Sequence, residues 1–425
     1  MLSAQAPSGE TSHLWDHPES AYIHIPFCRR RCYYCDFPIA VVGDKPPLPR
    51  TGSREYGTIS HYVKILCQEI SLTAPAGVPL STIFFGGGTP SLLTVEQLRQ
   101  ILTTLNQQFG VLETAEISME VDPGTFDLEQ LQGYRDAGVN RFSLGVQAFQ
   151  ANLLQTCGRS HSVADIYRAV DLMQQAGVKN FSLDLISGLP HQTLDDWQES
   201  LARAIALEPT HLSCYDLTIE AGTPFSRQYQ PGARPLPSDE TTAMMYRTAQ
   251  RLLTAAGYDH YEISNYAKPG YQCQHNRVYW KNRSFYGFGM GATSYLQGDR
   301  VSRPRKTREY YDWVAAMPPG DATIASSAID PGVVWLDTLM VGLRLAEGLP
   351  LAELADRFGQ ARVDRLWRCL QPYYKQGWVA LSSDVVAPEG LPTSGTIRLT
   401  DPEGFLFSNV ILVALFEEFD REGAS

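Results

Sequence analysis

Cysteine is scarce in this chain. There are eight in 425 residues, and five of them, Cys67, Cys157, Cys214, Cys273 and Cys369, stand singly. Thiols so thinly scattered give no disulfide framework and suit a reducing compartment. Positive charge is also in deficit: 35 Lys and Arg face 46 Asp and Glu, for a formal net charge of −11. That balance argues against a nucleic-acid partner, whose phosphates need a basic face. No stretch approaches the roughly 18 uninterrupted apolar residues of a membrane helix. The opening MLSAQAPSGETSHLWDHPES has neither the charged start nor the apolar core of a secretory signal. A cytoplasmic protein is expected, with residues 1–20 as a mobile tail and no transmembrane segment.

What is present is an ordinary globular composition, 44% hydrophobic and 19% charged, in a chain long enough for two or three domains. Two segments nearly repeat: AGVNRFSLGV at 137–146 and AGVKNFSLDL at 176–185. Each opens on a glycine suited to end a helix and runs into a short apolar strand. Helix followed by strand at this period is the cadence of βα units. Strands are expected at 21–25, 81–85, 115–121, 141–146, 180–186 and 210–217, with amphipathic helices at 57–73, 94–108, 127–137, 163–176 and 195–206.

Six such units predict parallel strands, doubly wound or curled. Unusual polar residues fall near the carboxyl ends of successive strands, an arrangement natural to a barrel. Six units are fewer than the eight of a closed barrel. The fold class expected is therefore α/β, a partial (βα)6 TIM-like open barrel, with a smaller C-terminal, mostly helical, winged-helix-like domain. The divisions expected are 21–260 for the barrel, 261–330 for an extension and 331–425 for the C-terminal domain. The Pro- and Gly-rich 43–57 reads as a surface insertion, and GFLFSNVILVALFEEF at 404–419 as a single helix.

The remaining three cysteines lie together in IPFCRRRCYYCDF, where Cys28, Cys32 and Cys35 have C-x3-C-x2-C spacing. Three thiolates on one loop can hold three corners of a 4Fe–4S cube, leaving one iron open to an exogenous ligand. A Cys3His zinc site completed by His24 is the alternative that spacing leaves open. FFGGGTPS at 84–91 follows the second strand. Its glycines allow close backbone approach to a ligand, and they equally suit a tight turn. Glu120, Gln147, Arg159 and Asp184 supply polar groups at or near strand ends; each alone also fits a satisfied structural role.

IHIPFCRRRCYYCDF followed by FFGGGTPS and the βα series resembles the radical S-adenosylmethionine (SAM) superfamily. In that family SAM chelates the open iron through its amine and carboxylate, and an electron from the cluster cleaves it to a 5′-deoxyadenosyl radical. The resemblance is closer to the coproporphyrinogen dehydrogenase-like members, through AYIHIPFC, SMEVDPGT, RFSLGVQAF, LDLISGLPHQT and IRLTDPEGFLFSNVIL, and it runs from about residue 20 to 416. It implies cluster ligands at Cys28, Cys32 and Cys35. SAM contacts are implied at Tyr22, Tyr34, Gly87, Gly88, Thr89, Glu120, Gln147, Arg159 and Asp184.

The dehydrogenases of that family carry a further cysteine two residues past the third, where this chain has Phe37, and a long N-terminal extension. Both departures resemble the heme-chaperone branch, which binds heme and passes it to hemoproteins. QHNRVYW at 274–280 resembles the motif linked there to heme. The resemblance thus implies heme as cargo with His275 as its axial ligand, Cys273 competing, and heme-accepting proteins and an electron donor as partners. Arg29, Arg30 and Arg31 suit heme propionates or a solvated turn. An oxygen-independent coproporphyrinogen III dehydrogenase is the enzymatic alternative. Turnover of SAM, the acceptor, the oligomeric state and the task of the C-terminal domain, for instance covering the barrel mouth, stay open.

Overall fold

The computed structural model describes residues 17–43, 59–320, 330–382 and 395–419. Most of the proposed tail, and 44–57 of the proposed insertion, lie outside them. Six parallel strands form the centre: β1 (Ser20–Ile25), β2 (Leu80–Gly87), β3 (Val111–Val121), β4 (Arg141–Gln147), β5 (Phe181–Ser187) and β6 (His211–Asp216). Helices α1 (Ile59–Leu72), α2 (Val95–Phe109), α3 (Leu128–Asp136), α4 (Val163–Gln175) and α5 (Leu194–Ala206) alternate with them. Three helix starts are written locally: Thr94, Ser162 and Thr193 each form a capping box with Gln97, Asp165 and Asp196. The near-repeat is also backbone-driven, since Gly138 and Gly177 follow their helices at φ of +113° and +71°, where only glycine sits without strain.

Helix α6 (Asp239–Ala255) leads into β7 (Asp259–Glu262) and β8 (Asn265–Ala267), after which come α7 (Gln274–Trp280), β9 (Tyr286–Phe288) and α8 (Thr307–Ala316). The nine strands run in the order β9-β1-β2-β3-β4-β5-β6-β8-β7. β9 adds to β1 in parallel, and β8 pairs antiparallel with both β6 and β7. The curl is open, as expected, but the sheet has three strands more than the six βα units. Those three are only three or four residues long, too short for a periodic signal.

At the C-terminal end, α9 (Pro331–Gly342), β10 (Leu349–Pro350), α10 (Leu351–Phe358), α11 (Gln360–Lys375), β11 (Val379–Ser382), β12 (Thr396–Leu399) and α12 (Ser408–Phe419) surround a separate core that includes Trp335, Leu366 and Phe405. Three short antiparallel strands in the order β10-β12-β11 complete it, the element order of a winged helix. The single helix expected over 404–419 is two: Glu403–Leu406 and α12, separated at Phe407, whose ψ of +16° departs from helix. This unit meets the barrel along α6 and β7, through Arg247 on Glu403 and His260 on Asp401, and at α7, through Arg277 on Glu347. None of these contacts is at the carboxyl ends of β1 to β6.

A buried ion pair ties the open edge together. Glu69 of α1 accepts from Arg303 Nε at 2.8 Å, Tyr310 Oη of α8 at 2.7 Å and the Gly289 amide at 2.9 Å, and both charged side chains are at most 2% exposed. Removing one partner strands the other charge in the interior. Glu69→Gln or Arg303→Met is expected to cost about 3–5 kcal/mol in chemical denaturation, and the double variant clearly less than the sum of the two.

Candidate functional site

The carboxyl ends of β1 to β6 enclose a cavity of about 440 Å³, and Cys28, Cys32 and Cys35 all line it. The cysteine loop leaves β1 and is held by a two-residue parallel pairing of Phe27–Cys28 with Ala40–Val41. Neighbouring arginines are also tethers: Arg29 donates to the Gly124 carbonyl, and Arg31 to those of Cys35 and Phe37. Donors from distant strands reach the sulfurs. Thr89 Oγ1 stands 3.7 Å from Cys28 Sγ, and Arg159 Nη1 donates to Cys32 Sγ at 3.4 Å. Burial pushes the Cys28 thiol up to about 12 and raises that of Cys35. A metal centre would have to displace those protons, and donors aimed at the sulfurs suit the negative charge that results.

His24, the alternative fourth ligand, is committed elsewhere. Its Nδ1 meets Tyr22 Oη at 3.1 Å and its Nε2 the Pro38 carbonyl at 3.0 Å, while burial lowers its pKa to about 4. Among the described residues no three His, Cys, Asp or Glu side chains converge closely enough to hold a single ion. Three thiols facing one cavity, with no imidazole nitrogen to spare, fit a cluster held at three corners better than a tetrahedral zinc.

The glycine run has a packing reason of its own. A Cβ on Gly87 would lie 2.4 Å from the His24 ring, and one on Gly88 2.7 Å from the Phe27 carbonyl. Gly87 also has φ +111°. The amides here are spent inside the protein: Gly87 donates to Glu120 Oε2 at 3.0 Å, Gly88 to Ile25 and Thr89 to Phe27. Any contact that these three backbones make to a ligand is therefore through carbonyl oxygen, an acceptor suited to an ammonium group.

Glu120, Gln147, Arg159 and Asp184 line the same cavity, as do Tyr34, Gly87, Gly88 and Thr89. Burial, then the nearby Asp184 charge, pushes the Glu120 carboxyl up to about 8 against the Gly87 hydrogen bond. Asp184 is raised by burial too, offset by hydroxyls of Ser213, Ser143 and Ser182. Gln147 has φ +68° at a bulge in β4, where the register with β5 shifts, and this re-aims its side chain. Arg159 pairs with Asp122 Oδ1 and donates to the Gly145 carbonyl. Asp122 went unnoticed in the sequence because D-P-G reads as a turn. Ser143 and Ser213 were missed as well: the register sets Ser213 opposite Asp184, and Ser143 Oγ donates to the Asp184 carboxylate at 2.9 Å.

Tyr22 does not line that cavity but one that adjoins it and shares Gly87, Glu120 and Asp184 with it. This second, smaller cavity of about 200 Å³ lies deeper in the barrel and is also lined by Phe84, Arg141, Cys273, Asn276 and Tyr279. His275 is deeper again, on α7, which closes the opposite end of the strands. The Glu116 carboxylate, midway along β3, accepts the amides of Gln274 and His275, each at 3.1 Å. The His275 ring is fully buried and stacks on Phe84. Its Nδ1 meets Thr82 Oγ1 at 2.7 Å and its Nε2 meets Tyr279 Oη at 2.8 Å. Burial alone pulls its pKa down to about 3. Neutral imidazole is the ligating form, but neither nitrogen has a lone pair or proton to spare.

Residues 22–204 match the Radical SAM superfamily and residues 329–390 the HemN C-terminal domain. The protein "Heme chaperone HemW" of Synechocystis sp. is 46% identical over 410 residues, covering 95% of this chain and 98% of that protein. The protein of the same name from Bacillus subtilis is 35% identical, covering 81% and 88%. The solved structure of coproporphyrinogen III oxidase (HemN) from Escherichia coli superposes with a TM-score of 0.74 over 96% of this chain and 93% of that one, at 24% identity, a likeness of fold.

Glu120 yields a measurable expectation for a bound cationic nucleotide. A carboxyl with a pKa near 8 is mostly protonated at pH 7, so binding a cation beside it releases its proton and tightens as pH rises towards 8. In equilibrium binding, Glu120→Gln should weaken SAM roughly 10–100-fold above pH 8 and make the rise of affinity with pH shallower by one proton.

Proposed function

The chain belongs to the HemW heme-chaperone family of radical SAM proteins, and on that premise we propose that it binds heme as cargo and delivers it to heme-accepting proteins. The observation that carries this reading is identity along nearly the whole of both chains to a protein named as a heme chaperone. The radical SAM family implies a 4Fe–4S cluster and SAM. Cys28, Cys32 and Cys35 would hold the cluster. Tyr22, Tyr34, Gly87, Gly88, Thr89, Glu120, Gln147, Arg159 and Asp184 would surround SAM, Tyr22 from the adjoining inner cavity. When bound, these groups supply one-electron chemistry at the mouth of the barrel.

The protein's own residues have definable tasks in this arrangement. Arg159 and Thr89 offset thiolate charge, Glu120 and Asp184 balance a sulfonium, and backbone carbonyls of the glycine run accept from an amine. An electron donor is needed if the cluster is to change oxidation state. We assign residues 21–260 to the cofactor barrel, 261–330 to its extension and 331–425 to a C-terminal unit. The eight cysteines, all unpaired, suit a reducing compartment such as the cytoplasm. No helix among the described residues is long and apolar enough to cross a membrane. Contact with membrane-bound heme acceptors would then be made from the surface.

Ligation of heme by His275 would require α7 to leave the floor of the barrel and both imidazole hydrogen bonds to break. Heme titrated into the anaerobically purified protein should give saturable binding and subsequent transfer to an apo-form of a b-type hemoprotein. Cys32→Ala should lose cluster iron and sulfide. Sustained formation of protoporphyrinogen from coproporphyrinogen III, SAM and a reductant would overturn the chaperone reading in favour of the dehydrogenase.

A further inference from the structure

We propose that heme docks across the open mouth of the SAM cavity, lying on an apolar rim formed by the cysteine loop and the end of β6, rather than inside the barrel at His275. This inference rests on the heme-chaperone reading and adds the location of the cargo. Size decides first. The two cavities adjoin, sharing Phe37, Gly87, Glu120, Ser143, Asp184 and Tyr215. With SAM in the outer part, the inner remainder is about 200 Å³, below the roughly 300 to 1,000 Å³ of cavities that enclose drug-sized ligands. The outer one, at about 440 Å³, is near the lower part of the range. It suits one nucleotide-sized ligand and leaves no room for a heme beside it.

The rim offers the right surface. Phe37 on the cysteine loop is 55% exposed and Tyr215 at the end of β6 is 44% exposed. Phe37 and Tyr215 line the outer cavity with the half-buried Ile39 and Leu217. Flat aromatic and branched side chains around an opening match a porphyrin face. Charge is complementary on one side. Arg305 holds the Asp36 carbonyl at 2.8 Å, and Arg30 lines the cavity, so cations stand beside the loop where propionates would reach. Asp36 and Asp216 also line the cavity, which disfavours the opposite orientation. A heme so placed covers the route by which SAM enters and leaves.

Two measurements test this. In heme titrations, Phe37→Ser should bind about tenfold more weakly or worse, with cluster iron and sulfide kept. His275→Ala should retain both heme affinity and heme absorption spectrum. In the unaltered, cluster-loaded protein, prebound heme should slow the release of labelled SAM severalfold, and by linkage SAM should tighten or weaken heme by the same factor that heme does SAM. Loss of heme binding in His275→Ala with the rim variant unaffected would overturn the location while leaving the chaperone reading intact. So would a SAM release rate indifferent to bound heme. Refusal of heme by the unaltered protein would remove the reading itself, and the location with it.

Discussion

One guanidinium organises the cofactor end of this barrel. Arg159 stands after the short helix Ala151–Thr156 that follows β4, its side chain only 7% exposed. It reaches Asp122 beyond β3, the Gly145 carbonyl of β4 and the sulfur of Cys32 on the loop after β1. Burying a guanidinium is expensive unless its partners are charged and well placed, and here the partners come from three separate strand ends. Gly145 belongs to the same arrangement, since a Cβ there would lie 2.7 Å from the Asp122 carboxylate. The cysteine loop is thus fixed in space by an electrostatic clamp that the loop itself does not contain.

The opposite end is built by a comparable rule with another outcome. α7 presents two amides to the Glu116 carboxylate, and its histidine bonds to Thr82 and Tyr279, so the floor of the barrel is a closed polar network. Such networks rigidify when every member is satisfied. The lumen therefore has a sealed floor and a functional mouth. The C-terminal unit, held by Arg247, His260 and Arg277, braces the floor side and the β7 edge rather than the mouth.

How much was legible in the sequence follows from the range of each signal. The six parallel strands and their helices carry period-2 and period-3.6 patterns with glycine stops and capping boxes, all within a few residues of chain. The three cysteines are legible because one loop carries them. The position of α7 is not, because it depends on contacts between residues more than 150 apart in the chain, Glu116 with His275 and Thr82 with His275. A motif can name a histidine, but only the tertiary packing decides whether its nitrogens are free. The glycine run reads equally as close approach to a ligand and as a tight turn, and the structure adds that His24 needs the same space.

The clamp has a bearing on how the protein matures. Arg159, which steadies Cys32, follows it in synthesis by 127 positions. Thiols on an incomplete barrel are a permissive trap for adventitious soft metals, because no second strand yet dictates their spacing. The three thiols thus reach the spacing seen here only once the fourth strand and the loop after it have closed over them.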